Sequence, residues 1–183
     1  MTKDYSPDRL DIKAFVQAGT RLTGHDSLLK YERLAQEAKG LHPDLYVDWQ
    51  ATGELRPVPG EAGQQWLHLQ AQSTFPMVCQ RCLGPVDVPL TVDRSFRFVA
   101  DEATAEALDD EVEEDLLAFS REFDLRELIE DELLMSMPAV PRHDECPEHV
   151  PMEAVDEDFE AASAEKPNPF AALASLRDPK AGN

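Results

Sequence analysis

Between about residues 44 and 99 the apolar residues recur at every second position, and no helical period interrupts them. Leu45, Val47, Trp49 and Ala51 alternate with polar neighbours. Leu67, Leu69 and Ala71 oppose Trp66, His68 and Gln70, and Val86, Val88, Leu90 and Val92 alternate again before residues 94–99 continue extended. Strand side chains point alternately to two faces, so this pattern buries one face of a sheet. Strands that follow one another without intervening helices pair antiparallel. Pro76 and Pro89 cannot donate to a ladder and are expected at edges or irregular positions.

Helical spacing flanks this block. Leu28, Tyr31, Leu34, Ala35 and Ala38 predict a helix over 27–38, capped by Asp26 or Ser27 and stopped by Gly40. Asp124, with Glu127 three residues later, resembles a capping box opening a helix over 124–137. Its apolar stripe is Leu125, Leu128, Ile129, Leu133 and Met137, and Pro138 ends it; Met135 and Met137 read as core filler. Ile12, Ala14 and Val16 predict a short strand, and residues 116–119 a last one. The expected architecture is α+β: an antiparallel sheet of about five to seven strands, two main flanking helices and a short C-terminal helix. Residues 1–142 read as one domain, 143–165 as an acidic mobile segment, 166–177 as a short docking helix and 178–183 as a tail. In that docking helix Pro169 follows a capping Asn168, and Phe170, Leu173 and Leu176 share one face, fitting a docking peptide or a lid over the sheet.

Charge narrows the partners. The net charge is −20, with 8 Lys/Arg against 9 Asp/Glu in residues 1–60, 3 against 3 in 61–100 and 6 against 25 in 101–183. Such a C-terminal half repels phosphate backbones over about 8–10 Å and suits a basic protein partner, not DNA. Residues 101–115 hold nine acids and no base, which predicts a solvated acidic loop. Arg81, Arg94 and Arg97 are the candidate RNA contacts near the sheet. No apolar run approaches the roughly 20 residues a membrane span needs. The N-terminus has no signal-peptide core and the cysteine count of three is odd, so the expected compartment is the cytoplasm.

Cys79 and Cys82 form a C-x-x-C pair that admits three readings. A dithiol redox centre should open a helix, whose N-terminus activates the first thiol. Here Gly84 and Pro85 follow at once and strand patterns lie on both sides, which makes a hairpin tip. A zinc site needs four ligands. Cys146 and His149 supply a second pair at C-x-x-H spacing, with His143 as a substitute, and Gly84 would let the backbone turn N–H groups toward sulfur. Unpaired thiols are the third reading. No hydrolytic triad motif, phosphate-cradling glycine loop or H-E-x-x-H appears, so nothing in the sequence demands an enzyme.

Three stretches in order, VCQRCLGPV at 78–86, DLRELIEDELLMSMPAVP at 124–141 followed by RHDEC, and KPNPFAALASL at 166–176, resemble the YceD family, the large ribosomal RNA subunit accumulation proteins of bacteria and plastids. The likeness runs from about residue 10 to 177. It implies a non-enzymatic ribosome-biogenesis factor supporting synthesis, processing or stability of large-subunit (23S) ribosomal RNA, associated with precursor particles. Some relatives carry extra cysteines after the Pro-x-x-Pro segment, completing a four-thiolate zinc site. This chain departs from them and keeps Cys146 alone there, so any metal site would have to recruit a histidine. The rival reading is a thiol- or metal-dependent enzyme acting on RNA or on protein disulfides.

Overall fold

The computed structural model describes residues 5–60, 63–147 and 170. The chain divides into two units, Met1–Cys146 and Pro147–Asn183, and the sheet with its helices belongs to the first. His149, Leu173, Leu176 and the expected C-terminal helix lie outside the described residues; Phe170 is exposed.

Five strands form one sheet in chain order: β1 (Arg21–Ser27), β2 (Tyr46–Arg56), β3 (Gln64–Val78), β4 (Pro85–Val99) and β5 (Asp115–Ala118). The first three pairings are antiparallel, as the alternation requires, and β4 pairs with β5 in parallel. The sheet is therefore mixed at its last strand. A parallel neighbour needs a crossover, and α3 (Glu102–Asp109) occupies it. Residues 101–115 are thus not the loop their charge suggests. Asp101 caps α3 by accepting from the Thr104 backbone N–H at 2.8 Å and from its hydroxyl at 2.7 Å.

One face of the sheet carries the core. Val47, Ala51, Leu67, Leu69, Phe75, Leu90 and Phe96 are buried against α1 (Ile12–Gln17), α2 (Glu32–Glu37) and α4 (Leu125–Met135). Each such side chain contributes about 1.5–3 kcal/mol by leaving water. β3 meets β2 only up to Ser73, and β4 meets β5 only from Phe96. Pro76 and Pro89 thus lie in the outlying half of the β3–β4 hairpin, where each strand has one ladder partner and a missing N–H costs nothing.

Three expectations are corrected. Residues 12–17 are helix, not strand: Asp11 caps Ala14 N–H, and Ile12, Phe15 and Val16 are buried at helical spacing. Gly53 makes this packing fit, because a Cβ there would lie 2.7 Å from Val16 Cα. The helix expected over 27–38 breaks at Tyr31 into a 3₁₀ turn (Leu28–Lys30) and α2. Tyr31 takes an extended backbone, φ −108°, and is 1% exposed; Ser27, not Asp26, caps the turn. Asp26 instead accepts from Trp49 Nε1 at 2.8 Å, Lys30 Nζ at 2.8 Å and Arg126 at 3.2 Å. The start of α2 is then capped from a distance by the buried Glu130 of α4, which accepts from Arg33 and Leu34 N–H at 2.7 and 3.1 Å. Finally, Met135 is 78% exposed and fills no core, whereas Met137 packs against it.

Candidate metal centre

The tip between β3 and β4 is built by its own backbone. Cys79 N–H donates to Gly84 O at 2.8 Å and Leu83 N–H to Cys79 O at 2.9 Å. The residue in the left-handed region is Leu83, φ 60°, not Gly84. A leucine there is strained, and this one is also 75% exposed. The turn directs Arg81 N–H at Cys79 Sγ, 3.4 Å away.

The second half arrives from the segment after α4. Pro138 ends that helix, and Gln80 N–H donates to Pro141 O at 2.8 Å, pinning the Pro-x-x-Pro segment along the tip. Cys79, Cys82, His143 and Cys146 then present ligand atoms all within 4.8 Å of one another. Cys79 and Cys146 sulfurs are 3.9 Å apart, and Cys82 Sγ lies 3.4 Å from His143 Nδ1. A tetrahedral zinc ion, with bonds of ~2.3 Å to sulfur and ~2.1 Å to nitrogen, holds two sulfurs roughly 3.8 Å apart and a sulfur and nitrogen roughly 3.6 Å apart. The four residues fit that ion.

Their electronic state fits as well. A carbonyl oxygen only accepts, so the 2.9 Å contact from His143 Nε2 to Pro85 O places the ring proton on Nε2. Nδ1 is the nitrogen that faces Cys82, and an outer partner on Nε2 is the arrangement that orients metal-bound histidines. Burial alone would push the Cys79 thiol up, but backbone N–H groups of Cys82, His143 and Arg81 outweigh it and bring it to about 5. Those contacts favour its thiolate form. Cys146 is pushed the other way, by burial and then by its sulfur neighbours Cys82 and Cys79. A divalent cation bound here would favour the thiolate form of every sulfur that ligates it.

Of the two histidines weighed from sequence, His143 stands in this cluster, and His149 lies outside the described residues. His143 precedes Cys146 at the same two-residue spacing, H-x-x-C, by which His149 follows it, so spacing alone could not separate the two. The three arginines do not form a surface. Arg81 sits at the tip and Arg97 at the far end of β4, roughly 40 Å away at ~3.3 Å per strand residue. Arg94 lies on the helix-covered face, its guanidinium held by Asp115 and by Glu132. Cross-strand contacts also bring Ser95, His68 and Asp93 together on the open face, which motif reading could not anticipate.

Fold and site define an α+β protein with a knuckle-like thiol and imidazole cluster at a hairpin tip. The chain belongs to the YceD family: residues 67–177 match its description, "Large ribosomal RNA subunit accumulation protein YceD". It is 33% identical over 111 residues to the protein of that name from Haemophilus influenzae, an alignment covering 59% of this chain and 63% of the relative. No solved structure matches the chain. Among the described residues, no helix is long and apolar enough to cross a membrane.

Proposed function

We propose that this protein supports the accumulation of large-subunit (23S) ribosomal RNA as a binding factor without a catalytic step, working in the cytoplasm on precursor particles through a basic protein partner. The observation that carries this reading is the family match over 67–177, which includes every residue of the thiol and imidazole cluster. The charge distribution supports a protein contact over a direct RNA clamp, since Arg81, Arg94 and Arg97 are dispersed.

Cys79, Cys82, His143 and Cys146 would hold one zinc ion in a structural role. Bound there, the ion joins the tip, through Cys79 and Cys82, to residues 141–146, through His143 and Cys146, a segment that offers little apolar area of its own. The rival dithiol enzyme is disfavoured by access. Cys79, the lowered thiol, is 0% exposed, and the residues after Cys82 form a turn instead of the helix that redox nucleophiles use.

The test is sedimentation. The purified protein should migrate with precursor large-subunit particles in a sucrose gradient, and its deletion should lower mature large-subunit RNA. Migration only at the top of the gradient, with unchanged RNA, overturns the reading.

A further inference from the structure

We propose that the outer edge of β5, with the groove beside it, is the docking site for an extended basic segment of a partner protein, added as a sixth strand. This deepens the preceding reading and rests on it for the partner's sign of charge.

The sheet ends at β5, and among the described residues no hydrogen bond joins its outer edge to another element. An uncovered edge is a template for another strand unless it is blocked, usually by charges or proline on the strand itself. β5 has no such block. Leu116, Leu117 and Ala118 are uncharged, and the one acid, Asp115, is committed to Arg94. The charges lie beside the strand instead, on α3 and the turn that follows it.

That placement builds a groove of about 440 Å³ with Phe96, Leu117 and Leu128 on its floor and Asp109, Glu113 and Glu114 on its rim. Arg94 lines it too but is neutralised by Asp115 and Glu132. An added strand would present alternate residues to the two sides. Basic side chains would reach the acidic rim and apolar ones the floor, while the backbone pairs with β5. The same carboxylates exclude other occupants. A second copy of this chain would bring an identical acidic edge, and RNA would bring phosphates, and like charge repels both.

The probe is a fluorescent octapeptide of alternating Lys and Val, titrated into the full chain by anisotropy, with a Glu and Val octapeptide and a uridine 20-mer as comparisons. Hydrogen exchange reads the amides of residues 115–118. The Lys peptide should bind, weaken with added salt and protect those amides, and the other two should not bind. The double variant Asp109→Lys with Glu113→Lys, both exposed positions, should bind at least tenfold more weakly with an unchanged melting temperature. Binding that protects other amides, binding unchanged in the variant, tighter binding of the uridine 20-mer, or concentration-dependent dimers paired through β5 would each overturn the proposal. Gradient sedimentation separates the two readings. A variant that loses the peptide yet still sediments with precursor particles leaves the biogenesis role standing and removes this surface from it. A wild-type chain that binds the peptide but never meets the particles does the reverse.

Discussion

The two ends of the β3–β4 hairpin are held together by different physics. At the open end, Leu67 and Leu69 of β3 and Phe96 of β4 lie in a packed core under α1 and α4, and burial alone maintains the structure. At the tip, a strained Leu83 and the Pro-x-x-Pro segment meet around three sulfurs and an imidazole. Here, on the proposed reading, a metal held by those ligands supplies the cohesion. One end should answer to lost volume and the other to lost metal, and the two responses should be separable.

The largest expected effect breaks the first end. Leu69 is fully buried, so Leu69→Ala should cost about 2–5 kcal/mol in a urea titration through lost transfer energy and a residual cavity. A smaller loss would mean that the helices collapse into the space. The zinc content of the folded fraction should not change.

Metal removal breaks the other end. Protein made without affinity tags should carry about one zinc per chain, and Cys82→Ser should reduce it to under about a tenth. A strong chelator should then speed hydrogen exchange at residues 79–84 and 141–146 while leaving β2 and the core of β3 protected. Global unfolding on chelation would show that the ends are not separable. Zinc content below about a tenth in the wild type would remove the metal from the tip.

The smallest effect sharpens the comparison through pH. Burial pushes the Asp26 carboxyl up, but hydrogen bonds from Lys30 and Trp49 and the charge of Arg126 outweigh it and hold it below the ordinary carboxylate range. A carboxyl lower in the folded than in the unfolded chain stabilises fully above the unfolded value, ~3.9, and loses that contribution as pH falls through the folded value. Asp26→Asn should therefore destabilise by about 1–3 kcal/mol at pH 7, as expected for hydrogen bonds to a charged group, with the gap closing in acid. A gap that persists below pH 3 would assign the loss to packing around Trp49.

Much of this was legible in the residues. Period two across 44–99 specifies strands because it is local and repeated, and Asp124 with Leu125, Leu128, Ile129 and Leu133 specifies α4 for the same reason. What misled were short stretches with two periods at once. Ile12, Ala14 and Val16 alternate as a strand would, but Ile12, Phe15 and Val16 also satisfy a helix, and the Asp11 cap with close packing on Gly53 decided between them. Tyr31 fits a helical stripe, yet burying its ring and pairing its hydroxyl with Asp26 cost the helix a turn. The charge of 101–115 concealed a helix whose stability lies in its Asp101 cap and its packing on β5.

By itself the sequence determined the α+β class, the antiparallel core of the sheet, the α4 helix, the acidic second half and the presence of a half-site at CQRC. These follow from local periodicity, composition and spacing, which need no partner across the chain. Only the tertiary structure decided that His143 stands beside Cys79, Cys82 and Cys146, that Arg94 is spent on Asp115 and Glu132, and that β5 closes the sheet in parallel with its outer edge unpaired among the described residues. Each of those facts depends on segments tens of residues apart meeting in space, and the hydrogen bond from Gln80 to Pro141 that brings two of them together leaves no local trace in either.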